Sequence, residues 1–336
     1  VKSVFRAAFP AEVGMRDVAK PVVVVSKCIE FDRCRYNGLM ISSDVVRELK
    51  PFVHFIPVCP EVEIGLGVPR DPIRIVSSKG DRALLQPSTG ANVTARMERF
   101  ARSFLGSVGE VDGFVLKSRS PSCGVRDVKI FPGVGKQAAS DKGAGFFGGA
   151  VLDTFPGYPV EDEGRLLNFR IREHYLTSLF ALARFRAARA AGTMRALVEF
   201  QAGHKLLLMS CSQKELRILG RIVANQEHRS PREVFEEYER HLRAAFASPA
   251  RYTSNVNVLM HVLGYFSEKL TSREKAFFLD SLEKYKAGRI PLSATISIAN
   301  SWLARFGEAY LEKQTYFEPY PEALVEITDS GKGRDW

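Results

Sequence analysis

The sequence contains no apolar run long enough to span a bilayer, which takes about 20 consecutive apolar residues. Residues 1–20 mix charge with short apolar pieces and lack the pattern of a secretory signal. The expected location is therefore cytoplasmic, with no membrane partner. Met15 offers an alternative start, because strand character begins only near Pro21. Cysteine is scarce, with 5 in 336 residues at wide spacing. That excludes a disulfide scaffold, and in a reducing compartment it points to metal binding or catalysis. The Gly-x-x-x-x-Gly-Lys-Ser/Thr pattern of a phosphate loop is missing, as is a closely spaced Cys-x-x-x-Cys-x-x-Cys run. The 6 histidines are too scattered to argue for a metal site, and there is no internal repeat.

What is present is organised around Lys117-Ser-Arg-Ser-Pro-Ser-Cys123-Gly124. An apolar run, Val111 to Leu116, reads as a buried strand that drops into this loop. Ser-Pro forces a turn and Gly124 permits unusual backbone angles. Cys123 and the hydroxyls of Ser120 and Ser122 are thus expected at the carboxyl end of a strand, where open α/β sheets bind ligands. Two more apolar runs end the same way, residues 22–27 at Cys28 and residues 53–58 at Cys59. If these strands are parallel neighbours, Cys28, Cys59 and Cys123 converge on one crevice. Cys34 is a rival ligand, but it sits within a loop while Cys28 ends a strand. Glu61 and Glu63 are the acids nearest this crevice. Gly65 and Gly67 are expected to let the backbone approach something closely.

Between these blocks, Ser42-Ser43-Asp44 caps a short helix to about Leu49. Residues 73–76 and 83–86 read as a hairpin around Lys79-Gly-Asp81, and residues 92–105 as a helix. From Phe131 to Gly157 the chain is rich in glycine. It reads as part mobile lid and part ordered segment over 148–155. Residues 156–163 mark a domain boundary. From Arg165 onward apolar residues recur at helical spacing, with helices expected over 166–191, 194–208, 213–225, 231–246, 255–270, 272–287 and 292–311. The fold class is thus an α/β N-terminal domain with a Rossmann-like open sheet, residues 20–164, followed by an all-α C-terminal domain, residues 165–336.

Net charge is +10 and the isoelectric point about 9.4. The excess is concentrated, since residues 165–251 hold 16 Lys and Arg against 8 Asp and Glu. Such a surface suits a polyanion such as RNA, and equally suits an ordinary solvated helix face.

The blocks Val25-Ser-Lys-Cys28, Cys34-Arg-Tyr-Asn-Gly38, Pro57-Val-Cys59-Pro-Glu61 with Pro69-Arg70, and Lys117 to Gly124 resemble the thiouracil desulfidase family. The second half resembles the helical domain typified by the YbgA protein, through residues 197–209, 219–225, 257–266 and 316–321. The fusion of both halves is similar to enzymes that remove sulfur from 4-thiouridine. The resemblance implies a [4Fe-4S] cluster on Cys28, Cys59 and Cys123 with one iron left open. It implies a thiolated uracil or uridine, free or in tRNA, as substrate. Glu61 would act as general acid or base, Ser120 or Ser122 would orient the base, and Lys117 and Arg119 would hold substrate or phosphate. The basic segment 165–251 would bind tRNA, with Arg184, Arg186 and Arg189 as its expected contacts. Two alternatives stand beside this reading. One is an RNA-binding or regulatory protein with a structural metal completed by Cys34. The other is a cluster enzyme of different chemistry.

Overall fold

Successive valines of the first strand face opposite sides of a sheet, and each side has its own core. The computed structural model describes residues 19–78, 80–135 and 138–325, so Met15 lies outside the described residues. Val22–Ser26 forms β1. Val24 packs with Phe114, Leu116 and Val160, whereas Val23 and Val25 pack with Val115 in a separate cluster. β2 (His54–Val58) pairs in parallel on one side of β1 and β6 (Gly113–Leu116) on the other. β9 (Val160–Asp162) adds in parallel to β6, giving the order β2-β1-β6-β9. The three apolar runs are thus parallel neighbours with their carboxyl ends on one edge.

A second sheet, in the order β5-β4-β3-β7-β8, packs beside the first. It consists of β3 (Arg74–Ser78), β4 (Asp81–Gln86), β5 (Ala91–Asn92), β7 (Val128–Phe131) and β8 (Asp141–Gly143). The expected hairpin is there, with Ser78 opposite Asp81, while Lys79 itself lies outside the described residues.

Helices cover both faces of the first sheet. α1 (Asp44–Leu49) is capped by the Ser43 side chain, which accepts from the Val46 amide. α2 (Pro60–Glu63) is a single turn after β2. α3 (Thr94–Ser107) and α4 (Phe146–Thr154) bury Met97, Ala101, Leu105, Phe147 and Val151 on the Val24 face. The opposite face is covered by α1 and by α5 (Phe169–Ala191). Tyr175, Leu176, Leu179 and Phe180 of α5 pack with Val23, Val25 and Val115. One turn later, Ala181, Leu182 and Phe185 belong to the helical core. The helix expected to open the second domain is therefore also a roof of the first. Gly113 makes this possible, because a Cβ there would stand 2.9 Å from Leu179 Cδ1.

The remaining helices are α6 (Met194–Cys211), α7 (Gln213–Ala224), α8 (Pro231–Ala245), α9 (Tyr252–Phe266), α10 (Ser272–Lys286), α11 (Leu292–Phe306) and α12 (Ala309–Glu312). Ser230 and Thr271 form capping boxes at the starts of α8 and α10. The last long helix stops at Phe306 rather than Leu311, because Gly307 turns the chain with φ +61°. The segment after α12 returns to the first domain, where Tyr320 and Leu324 join the cluster that holds Cys28 and Cys59.

Two expectations need correction. The arginines expected to meet RNA hold the molecule together instead. Arg186 pairs with buried Asp112 at 2.9 Å, Arg189 bridges Glu110 and Glu239, and Arg184 donates to the Pro319 carbonyl. Reversing the charge of Arg186 and Arg189 breaks ion pairs to Asp112 and Glu110 of the first half. In the glycine-rich stretch the segment expected to be ordered, 148–155, is there in α4, but the described glycines before it at the α4 N-terminus are no lid. Backbone amides at the α4 N-terminus donate to the Cys123 loop: Gly145 to Gly124 O at 2.7 Å, Phe147 to Ser122 O at 2.9 Å. A Cβ at Gly148 would lie 2.3 Å from Gly124 O and 2.6 Å from Cys123 O. The glycines admit close backbone contact, not motion.

Gly148→Ala is therefore expected to destabilise the protein by about 1–3 kcal/mol, the usual cost of overpacking. At Gly149 the nearest atom is 3.6 Å away, so Gly149→Ala should be neutral or stabilising by up to about 1 kcal/mol. Urea denaturation of both variants measures this; equal effects would contradict the account.

Candidate functional site

The site is built on strand ends. Cys28 follows β1 in a turn fixed by the Ile41 amide, which donates to Cys28 O at 2.7 Å. Cys59 follows β2 as the N-cap of α2, and its carbonyl accepts from the amides of Val62 and Glu63. Cys123 lies in the loop after β6, gripped by α4. All three thiols are buried, at 8%, 8% and 6% exposure.

Cys34 joins them. It is 3% exposed and packs in one buried cluster with Cys28 and Cys59, and its carbonyl accepts from Cys59 Sγ at 3.8 Å. Sequence reasoning set it aside as a loop residue, yet the turn after β1 folds it back over the strand ends. Its spacing of six residues from Cys28 was the available signal. Contact with the Cys28 thiol, then burial, pushes the Cys34 thiol up to about 11. The Cys59 thiol is raised well above its ordinary value, first by the Cys34 thiol and then by burial. Burial raises the Cys123 thiol to about 12, against hydrogen bonds from Ser26 and Ser122. Without a metal these groups hold their protons.

Glu61 is the acid of this pocket. It lies on α2, is 9% exposed, and accepts from Ser122 Oγ at 2.6 Å. Ser122 Oγ is 2.9 Å from Ser120 Oγ. Ser120 Oγ in turn accepts from the amides of Ser122 and Cys123, at 3.3 and 3.1 Å. With both amides pointing at it, Ser120 has its own proton free to give to Ser122. The result is a directed chain, Ser120 to Ser122 to Glu61, that starts half-buried and ends buried. Glu63 is exposed on the far side of the same turn.

Arg70 is the residue that sequence reasoning passed over. Its side chain is 4% exposed. Nε donates to Glu61 Oε2 at 2.8 Å, Nη1 donates to the carbonyls of Cys34 and Gly67 at 3.0 and 2.8 Å, and Nη2 stands 4.0 Å from Cys59 Sγ. The only hint was its place in the Pro69-Arg70 block. Gly65 and Gly67 serve this contact. Their φ values of +81° and +71° turn the loop, while nothing lies within 4 Å of a Cβ at either, so no close approach occurs there.

Neither expected substrate cation makes a side-chain contact with this group among the described contacts. Lys117 pairs with Glu163 and donates to Ser118 Oγ at 2.8 Å. Arg119 is exposed and lines a cleft of about 490 Å³ with Arg74, Lys129, Lys142 and Asp127.

Among the described residues no group of three or more His, Cys, Asp or Glu is arranged to hold a single metal ion. The donor chemistry suits an iron–sulfur centre: thiols from adjacent strand ends, shut away from water, with a guanidinium beside them to offset thiolate charge.

An open parallel sheet with its thiols gathered at adjacent strand ends, joined to an all-helical unit, makes this a two-part protein. Residues 23–163 match the family model described as 2-thiouracil desulfurase, and the chain belongs to that family. Residues 205–321 match a family described as a protein of unknown function, DUF1722. The uncharacterised protein YbgA of Escherichia coli K12 is 29% identical over 164 residues, 48% of this chain and 96% of YbgA. The uncharacterised protein YbbK of Bacillus subtilis 168 is 30% identical over 139 residues, 37% of this chain and 92% of YbbK. A solved structure described as a [4Fe-4S]-dependent thiouracil desulfidase, TudS, is 29% identical and covers 44% of this chain and 93% of its own, with a TM-score of 0.36.

The Glu61–Arg70 pair is open to a direct test. Arg70→Met leaves a buried carboxylate unpaired and is expected to destabilise by about 3–5 kcal/mol. Adding Glu61→Gln should recover more than about 1 kcal/mol of that loss. Chemical denaturation of the four proteins of this cycle measures the coupling, and additive effects would show that the pair is not what keeps Glu61 buried.

Proposed function

We propose that this protein is a non-redox desulfidase that removes sulfur from a thiolated uracil or uridine, such as 4-thiouridine, with a [4Fe-4S] cluster held by Cys28, Cys59 and Cys123. The observation that carries this is the convergence of buried thiols with the Ser120–Ser122–Glu61 chain at the ends of three adjacent parallel strands. Membership of the 2-thiouracil desulfurase family supports it.

A cluster on three thiolates supplies one open iron, a Lewis acid for the soft thiocarbonyl sulfur. The residues of the chain do the rest. Glu61 takes a proton from the water that attacks the ring carbon. Ser122 donates to Glu61 and receives from Ser120, so the serine chain holds the carboxylate in place, and the proton that Glu61 gains goes on to the departing sulfide. Arg70 keeps Glu61 aimed and offsets the negative charge of thiolates and sulfide. The sum is water plus thiouracil giving uracil plus hydrogen sulfide, with no electron gained or lost. Cys34 is not required as a ligand in this scheme.

For substrate held in tRNA, the unpaired cations of α7 replace Arg184, Arg186 and Arg189 as the RNA contact. Lys214, Arg217 and Arg221 are exposed, lie on one helix face, and make no ion pair among the described contacts. Binding through them should weaken steeply with salt.

The test is sulfide release from 4-thiouridine and from thiolated tRNA by protein loaded anaerobically with iron and sulfide. Cys28→Ala, Cys59→Ala and Cys123→Ala should each abolish it, and Glu61→Gln should slow it by about 10²–10⁴-fold. Lys214→Glu with Arg217→Glu and Arg221→Glu should impair tRNA turnover alone. Full activity in Glu61→Gln would overturn the mechanism, and undiminished tRNA turnover in the triple variant would overturn the RNA contact.

A further inference from the structure

The helical half holds a cavity of about 630 Å³ that desulfuration does not use. It lies where the start of α5, the ends of α6 and α10, and the starts of α9 and α11 meet the returning C-terminal segment. Its walls include Tyr252, Tyr285 and Tyr316. Two of these rings are fixed in advance: Asn255 Nδ2 donates to Tyr285 Oη, and Tyr316 Oη donates to Asn255 Oδ1, each at 3.0 Å. Tyr252 stands against Tyr285 with centroids 5.0 Å apart, and is 38% exposed.

Glu173 lines the same cavity. Its carboxylate makes no hydrogen bond or ion pair among the described contacts. Burial pushes its pKa up, while the charges of Arg170 and Arg172 pull the other way. A half-buried carboxylate with unused acceptor sites is matched by a ligand that brings donors. Arg170 and Arg289 also line the cavity, Arg170 with its guanidinium 5.4 Å from the centre of the Tyr252 ring.

These features select among ligands. A purely apolar ligand would strand Glu173. A simple organic cation suits the rings and the carboxylate but meets two arginines. A nucleotide suits all three: a planar base against tyrosine rings, N–H donors toward the carboxylate, and a phosphate toward the guanidinium groups. The volume is that of an ordinary small-molecule site.

We propose that this cavity binds a nucleotide, with Tyr252 and Tyr285 packing the base, Glu173 accepting from its N–H donors, and Arg289 holding its phosphate. A carboxylate with two oxygens favours a base with two adjacent donors, as guanine presents at N1 and N2. The nucleotide is either free or displayed by RNA. The site is separate from the cysteine pocket and independent of the chemistry proposed there.

Isothermal titration of the full chain with GMP, guanosine, UMP and a short guanine-containing single-stranded RNA tests it. GMP should bind saturably at one site. Glu173→Gln should weaken GMP by at least about tenfold, the loss of a charged hydrogen bond. Arg289→Ala should weaken GMP but leave guanosine unchanged. Release of 4-thiouridine sulfur by loaded Glu173→Gln should match the parent, which separates this site from the catalytic one. Displacement of GMP by the oligonucleotide supports an RNA source, and GMP binding that the oligonucleotide leaves intact supports a free nucleotide. Absence of any nucleotide binding, binding that neither variant alters, or UMP binding as tightly as GMP would overturn the proposal.

Discussion

Glu61 is a carboxylate shut in with four thiols, and the Arg70 guanidinium is its charge partner there. Transfer of a lone carboxylate into such a pocket costs several kcal/mol. Arg70 offsets this with a charge-assisted hydrogen bond at 2.8 Å, and its other nitrogens tie the Cys34 and Gly67 carbonyls to the same point. One side chain thus fixes the acid, the loop after β1 and the loop after α2. The serine chain then has a defined end, and Ser122, one residue before Cys123, connects the acid to the third strand.

The sheet makes this convergence possible, and the helical half completes the sheet. Parallel pairing in the order β2-β1-β6 brings three loops to one edge. The strands need cover on both faces. α3 and α4 supply one layer, and α1 with α5 the other. Because α5 also enters the helical core, the two halves share a helix rather than a linker. The Arg186–Asp112 pair and the return of Tyr320 and Leu324 close the same seam.

Much of this was legible in the sequence. Apolar runs ending at Cys28 and Cys59 announce buried strands, and Ser43 announces a helix start. The second sheet was largely not legible. β5 and β8 are two and three residues long and polar, so pairing with neighbours, not local pattern, makes them strands. Gly145 read as part of a lid because sequence does not reveal what lies across from a missing Cβ, whereas Gly148 fell in the segment read as ordered. The α5 arginines read as a polyanion surface because a charge count is blind to Asp112, Glu110 and Glu239, each far away in the chain. The double duty of α5 did leave a trace, since residues 175–183 are apolar or small nearly all round, the mark of a helix enclosed on more than one side. Arg70 left only its place in a motif; its role depends on a partner nine residues back across two turns.

The central claim is that three strand-end cysteines, and not Cys34, hold the catalytic centre beside Glu61. The most direct measurement is a crystal structure of the anaerobically loaded protein with anomalous diffraction at the iron edge. The account predicts iron bonded to the sulfurs of Cys28, Cys59 and Cys123, with the unligated iron facing Glu61 and Ser122. Iron bonded to Cys34 in place of one of the three, or density remote from Glu61, would contradict it.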